Sequence, residues 1–291
     1  MKYNVFINEI DVFYQVDFRK YDCFDQIYKV RSQCNRKEVD VLCVGLNDVI
    51  DNDFVSSFPN LKYILSPTTG IDHIQISKPD ISVINLMPYE IKSVSATAEH
   101  TMALMLALIR KIPFIDHRLS YNRSLYRGTE LKDKKIGIFG LGRIGSLVRD
   151  YCTIFGMDVI SYDSTSDASQ KLEILSNCNI ISVHLPLNGS TENFLGMVDF
   201  YKMGRKPYII NTARAQIINR KALIYALKYN YISGAALDFA NYNYGPMIDS
   251  DFVQFLDSKL IVTPHIGGNT EESVEKTANT VVEKFVNTIN I

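Results

Sequence analysis

Between Lys134 and Asp163 the chain passes through an apolar stretch, Ile136, Gly137, Ile138 and Phe139. It then reads Gly140, Leu141, Gly142, Arg143, Ile144 and Gly145, and continues to an acid at Asp163. The stretch before the glycines reads as a buried parallel strand, and Ile144, Leu147, Val148, Tyr151 and Cys152 after them recur at helical spacing. A strand that turns tightly into a helix and then into a second strand restricts the chain to an α/β architecture. Each glycine has its own reason to be there. Gly140 permits the tight turn, Gly142 lets backbone approach a pyrophosphate, and Gly145 lets helix pack on strand, with the helix N-terminus facing the phosphates. The second strand, Asp158 to Tyr162, delivers Asp163 18 residues beyond Gly145, where a carboxylate meets the adenosine ribose hydroxyls. That acid favours NAD over NADP. A plain strand-to-helix turn without a ligand would explain the glycines, but not strand, helix and acid together.

At 291 residues the chain exceeds the usual size of one domain, so two are expected, and a 46% hydrophobic fraction is ample for their cores. Lys plus Arg (31) nearly cancels Asp plus Glu (32), which leaves no electrostatic footprint for nucleic acid or an anionic membrane. A small anion must therefore be held by a local site. The five cysteines, Cys23, Cys34, Cys43, Cys152 and Cys178, are scattered without metal-ligand spacing and read as reduced thiols of a cytoplasmic protein with no metal site. Met1 to Asp11 carries Asn4, Asn8 and Glu9 and reads as a first strand, not a signal peptide. The longest apolar run, Met102 to Ile109, is too short to span a bilayer and reads as a buried helix.

Before the glycines, strands are expected at Tyr3 to Ile7, Val39 to Gly45, Leu61 to Leu65 and Ile81 to Asn85. Thr97 opens a helix whose apolar face runs through Met102, Leu104, Met105, Leu108 and Ile109, and Pro113 breaks it. After Asp163 come helix Gln170 to Cys178, strands Ile180 to Leu185 and Tyr208 to Thr212, helix Arg220 to Lys228, and strands Ala235 to Phe239 and Leu260 to Thr263. A last helix, Thr270 to Ile289, carries an apolar stripe.

Ligands of open parallel sheets sit beyond the carboxyl ends of the strands, so the loops there are the places to look for chemistry. Four stand out: Ser66 to Asp72, Asn211 to Arg214, Asp238, and Thr263 to Gly268. Taken singly, each has an ordinary explanation as a turn, a cap or a surface side chain. Together, an arginine and a histidine at strand ends beside a nicotinamide site form a working apparatus. Arg214 can hold a carboxylate with its planar fork of donors, and His265 can pass a proton near neutral pH.

These motifs in this order resemble the D-isomer-specific 2-hydroxyacid dehydrogenase family, which includes hydroxypyruvate or glyoxylate reductases (glycerate dehydrogenases), D-lactate dehydrogenases and phosphoglycerate dehydrogenases. The matching stretches are Thr69-Gly70-Ile71-Asp72, Thr97-Ala98-Glu99-His100, the glycine fingerprint with Asp163, His184-Leu185-Pro186-Leu187, Asn211-Thr212-Ala213-Arg214, Ala236-Leu237-Asp238, and Thr263 to Gly268. The resemblance implies a Rossmann-type doubly wound domain for NAD over 96–269. It also implies a smaller flavodoxin-like parallel-sheet domain for the substrate, made of 1–95 and 270–291. It implies that Arg214 binds the carboxylate and keto oxygen of a small 2-oxo acid, that His265 donates the proton, and that amides of Thr69 and Gly70 also grip the carboxylate. Arg143 and Ile144 would meet the pyrophosphate. His184, Leu185 and Pro186 would line the cofactor pocket, joined by Thr97, Thr191, Thr212, Ala213, Gly267 and Gly268, and Asp238 would accept from the nicotinamide carboxamide. A homodimer through the cofactor domains is implied as well, using the Thr97 to Arg110 helix and the segment after it.

The chain departs from the family at one point of chemistry. The family pairs its histidine with a glutamate after the strand bearing Asp238; here the position that aligns best is Asn243, and no glutamate occurs between Glu192 and Glu271. An amide can hold the ring but adds no charge, so proton donation by His265 is expected to weaken at neutral pH. Ala215 stands where a glycine usually follows the arginine, and would be strained if the backbone there needed positive φ. Tyr126 takes the place of a common tryptophan. The reductase reading, with glyoxylate or hydroxypyruvate favoured, therefore competes with two others. One is formate-dehydrogenase-like hydride transfer, which needs no proton transfer; the other is a non-catalytic reader of NAD.

Overall fold

A parallel sheet covered by helices on both faces needs strands that are apolar on both sides, and the chain's short apolar runs are used in that way. The computed structural model describes residues 2–46, 48–87, 95–115, 123–239 and 250–290. The chain divides into two compact units, 1–92 with 269–291 and 93–268.

In the first unit, strands β1 (Tyr3–Ile7), β2 (Phe24–Tyr28), β3 (Val41–Cys43), β5 (Tyr63–Leu65) and β7 (Ser82–Ile84) form one sheet in the order β2-β1-β3-β5-β7. Every pairing in it is parallel. A separate two-stranded pair joins β4 (Ile50–Asp51) to β6 (Ile74–Gln75). With that pair set aside the strand order is flavodoxin-like. Short helices α1 (Ile10–Phe13) and α2 (Asn52–Ser56) follow β1 and β4. One face of the sheet packs Phe13 together with Val281, Val282 and Phe285 of a C-terminal helix; the other packs Val55, Phe58 and Leu61.

The second unit begins with α3 (Ser95–Ile109) and continues through β8 (Lys135–Phe139), α4 (Arg143–Ile154), β9 (Asp158–Tyr162), α5 (Ala168–Asn177) and β10 (Ile180–Val183). It closes with α6 (Met197–Tyr201), β11 (Tyr208–Asn211), α7 (Arg220–Lys228), β12 (Gly234–Leu237), α8 (Ser250–Val253) and β13 (Leu260–Val262); α9 (Glu271–Ile289) returns to the first unit. Its six strands are all parallel, in the order β13-β12-β11-β10-β8-β9. Met105 and Leu108 of α3 and Val148 and Cys152 of α4 cover one face. Ile174 of α5, Phe200 of α6, Leu223 of α7 and Phe252 of α8 cover the other. Strand β9 lies on one side of β8 and β10 on the other, so the winding reverses between β8 and β10. The crevice beyond their carboxyl ends is the switch point at which such sheets bind ligands.

The expected two-domain α/β architecture is thus present. Several strands are shorter than expected: β3 spans Val41–Cys43 against an expected Val39 to Gly45, and β10 spans Ile180–Val183 against an expected Ile180 to Leu185, although Val44 N and His184 N still donate to Leu65 O and Phe139 O of the neighbouring strands. Helix α3 starts at Ser95, two residues before Thr97, and ends at Ile109; Lys111, at φ 57°, turns the chain into a 3-10 turn that holds Pro113.

Candidate functional site

The turn after β8 is built by backbone proximity. Gly140 has φ 98°, and a Cβ there would stand 2.7 Å from the carbonyl oxygen of His184, at the end of β10. A Cβ on Gly145 would stand 1.9 Å from the carbonyl oxygen of Gly140, which is why the first turn of α4 can lie against the strand end. Gly142 is the N-cap of α4 and supplies no side-chain cap; its missing Cβ would meet nothing within 4 Å. Arg143 and Ile144 form the first turn. An uncapped helix N-terminus that opens onto clear space at a switch point is a seat for a phosphate group.

Asp163 follows β9. Its Oδ1 accepts from Thr165 N at 2.8 Å and Thr165 Oγ1 at 2.7 Å, with Ser166 Oγ at 3.5 Å. These bonds, those of Thr165 first, hold its carboxyl below the usual range. No Oδ2 partner occurs among the described residues. The turn reading and the ribose reading are therefore compatible: one oxygen fixes the loop and the other is available to a ligand. Across the crevice, His184 is half-buried with Nε2 2.8 Å from Ser182 Oγ, and burial pushes its imidazole down to about 4. Leu185 is half-buried and Pro186 exposed. Thr191 closes their loop, donating to Pro186 O and accepting from Asn188 N at 2.9 Å. The residues present fit a dinucleotide.

The next strand ends carry the other candidate site residues. At β11, Asn211 clamps its own turn: Oδ1 accepts from Ala213 N at 3.0 Å and Nδ2 donates to Arg214 O at 2.8 Å. Thr212 Oγ1 lies 2.8 Å from Thr101 Oγ1 of α3. Arg214 is half-buried in extended backbone, and Nη1 donates to Ala213 O at 3.0 Å. Ala215 opens a 3-10 turn and is not among the residues at positive φ, so the strain considered for it does not arise. At β12, Asp238 is 2% exposed. Oδ1 accepts from Thr263 Oγ1 at 2.6 Å and Ile266 N at 2.9 Å, and Oδ2 accepts from Gly267 N at 2.7 Å. Burial raises its carboxyl, but these bonds and one from His100 outweigh burial and hold it below the usual range. At β13, His265 has φ 57° and its ring lies 5.2 Å from that of Phe239. Gly267 and Gly268 follow, both facing Thr97. Asn243 lies outside the described residues.

In the first unit, Thr69 and Gly70 occupy the loop after β5. Asn85 Nδ2 donates to Thr69 O at 3.0 Å and Thr68 Oγ1 to Gly70 O at 2.7 Å. Among the described residues no group of three or more His, Cys, Asp or Glu side chains could hold a metal ion, and no helix is long and apolar enough to cross a membrane. Sequence reasoning gave no role to His100, although Nε2 stands 3.2 Å from Asp238 Oδ1. The Thr97 to His100 motif was the only local sign of it.

The fold and this cradle define a dinucleotide-binding α/β protein of the Rossmann type. The profile described as "D-isomer specific 2-hydroxyacid dehydrogenase, NAD binding domain" matches residues 102–267. The chain is 33% identical over 264 residues to the D-3-phosphoglycerate dehydrogenase of Bacillus subtilis, covering 85% of this chain and 49% of that protein. It is 30% identical over 270 residues to the glyoxylate reductase of Thermofilum pendens, covering 87% and 79%. It thus spans about half the length of the phosphoglycerate dehydrogenases it matches. The solved D-lactate dehydrogenase of Aquifex aeolicus, complexed with NAD and lactic acid, superposes with a TM-score of 0.76 at 27% identity, covering 98% of this chain and 96% of that one. The chain belongs to the D-isomer-specific 2-hydroxyacid dehydrogenase family, and its 102–267 segment is the NAD binding domain of that family.

Proposed function

We propose that the chain is an NAD-dependent reductase of a small, unphosphorylated 2-oxo acid, glyoxylate or hydroxypyruvate, yielding the D-2-hydroxy acid. The observation that carries this reading is the placement of Arg214 and His265 at the carboxyl ends of β11 and β13, with only β12 between them. Two strand spacings, roughly 10 Å, lie within the combined reach of an arginine and a histidine side chain, so both can meet the adjacent carboxylate and keto oxygen of one small substrate. NAD, when bound along the glycine cradle, supplies or takes up the hydride. Arg214 holds the substrate carboxylate and keto oxygen, His265 gives that oxygen its proton, and the amides of Thr69 and Gly70 add to the grip on the carboxylate. Asp238, with acceptor capacity left on Oδ2, receives the carboxamide. Asp163 supports NAD over NADP, since a carboxylate accepts from ribose hydroxyls and repels a 2′-phosphate.

Further observations support the substrate and assembly readings. The loop Ser66 to His73 contains no Lys or Arg to receive a phosphate, and the Thermofilum pendens relative is a glyoxylate reductase. A mostly apolar groove between α3 and α4, lined by Glu99, Met102, Ala103, Leu106, Tyr151, Ile154 and Phe155, supports a homodimer that uses the α3 helix. The cysteines described are free thiols, and burial pushes Cys152 and Cys178 up to about 12, which keeps them unreactive.

The test is NADH oxidation with glyoxylate, hydroxypyruvate, pyruvate and phosphohydroxypyruvate. One of the first two should exceed phosphohydroxypyruvate at least tenfold in kcat/KM. No turnover with any of them, while NADH binds, would overturn the reading, and NAD reduction by formate would then separate formate-dehydrogenase-like hydride transfer from a non-catalytic reader of NAD. Asn243→Glu supplies the family's carboxylate, and should move the alkaline limb of the pH profile upward by about one to two units; an unmoved limb would remove Asn243 from the histidine's surroundings.

A further inference from the structure

His100, in the second turn of α3, contacts two residues from the carboxyl ends of β12 and β13. Its Nε2 lies 3.1 Å from Thr263 Oγ1 and 3.2 Å from Asp238 Oδ1. The protons in this cluster can be assigned. An ionised carboxylate only accepts, so the Thr263 hydroxyl, 2.6 Å from Oδ1, donates its proton to Asp238. The hydroxyl lone pairs and the carboxylate oxygen then both face Nε2 as acceptors, and Nε2 carries hydrogen. The remaining bonds of Asp238 go to the amides of Ile266 and Gly267, the two residues immediately after His265. His265 itself is at φ 57°. A side-chain-bearing residue stays in that left-handed region when its neighbours over-determine it.

We propose that His100 is a positioning residue for proton transfer. By donating to Asp238 and Thr263 it stabilises the buried carboxylate that grips the loop, and so fixes the direction in which His265 points. The proposal rests on the reading above that His265 is the proton donor. It also gives a task to the last residue of the Thr97 to His100 motif, which neither cofactor nor substrate binding had employed.

Three variants of the full chain test it. His100→Leu keeps bulk and removes the donor, His100→Gln keeps an N–H where Nε2 stands, and Thr263→Val removes the bridging hydroxyl. With NADH and glyoxylate, His100→Leu should lose at least tenfold in kcat while the KM for glyoxylate changes less than threefold. His100→Gln should stay within threefold of the parent in both. Independently of turnover and with no cofactor added, the NMR signal of the His265 ring, assigned with His265→Ala, should shift or broaden in His100→Leu and Thr263→Val and hold its place in His100→Gln. An unmoved His265 signal in His100→Leu overturns the proposal whatever the rates, as does a glutamine variant no better than leucine. Should His100→Leu fail to fold, Thr263→Val carries the same comparison. If the parent reduces no 2-oxo acid, the catalytic reading fails, and the NMR comparison still decides whether His100 sets the loop.

Discussion

Arg214 illustrates how a side chain on an irregular turn is held accurately. Asn211 closes the turn through both ends of its amide, so the guanidinium projects from backbone that has little freedom. Lysine offers a point charge where arginine offers a planar fork, and Arg214→Lys should lower kcat/KM for the 2-oxo acid by about a hundredfold or more with NADH affinity nearly unchanged. A loss below fivefold would take Arg214 out of the substrate site. His184 makes a prediction about pH. Its imidazole is pushed from 6.5 to about 4 in the folded chain. Between those values the unfolded chain binds the proton and the folded chain does not, so stability is lost as pH falls from 6.5 toward 4. With the ring only half-buried, the loss is on the order of 2 kcal/mol. Denaturant midpoints at pH 7 and pH 4.5 should therefore separate less in His184→Gln than in the parent; equal separations would show that this ring titrates normally.

At the scale of elements, the strand-turn-helix unit is the part of the molecule most nearly written in local sequence. Its geometry follows from short-range sterics: a Cβ at residue 145 collides with a backbone oxygen, not with a side chain that could move aside. Gly145→Ala should weaken NADH binding at least tenfold in calorimetry and lower the melting temperature by about 4 °C or more; unchanged binding would mean that α4 can retreat without disturbing the cradle. Strands β1 and β9 and helix α7 could be read to the residue because their apolar patterns are continuous. Strand β2 could not. Its sequence, Phe-Asp-Gln-Ile-Tyr, lacks a period-2 alternation and buries Phe24 alone below a tenth exposure, since it pairs only with β1 at the sheet edge. The two-residue strands β4 and β6 are too short for any period. The candidate site divides along the same line. The turns bearing Arg214 and His265 announce themselves by composition, whereas the contact of His100 with Thr263 joins residues 163 apart and exists only because the sheet order brings them together.

At the scale of the molecule, the apolar face of α3 and α4 has a consequence for assembly. Ile154 is 81% exposed and Phe155 45% exposed beside the groove of α3, a placement that water disfavours unless another surface covers it. Ile154→Asp should convert a dimer to a monomer in sedimentation velocity at micromolar concentration; a parent that is monomeric, or a variant that stays dimeric, would assign the face another role. A different consequence follows from α9, whose Phe285 stacks on Phe24 at 5.6 Å and meets Tyr3 and Tyr63 edge-on at 5.4 and 5.0 Å. The ribosome releases β1 through β7 first and then has to make the whole 93–268 unit before it makes the helix that covers them. At about 5–20 residues per second, the roughly 220 residues from Tyr63 to Phe285 take on the order of 10–45 s. For that interval the nascent sheet lacks the helix that covers much of one apolar face, and the inserted unit is complete before that helix is made. The segment that carries β1 through β7 is therefore made before the inserted unit and completes its packing after it.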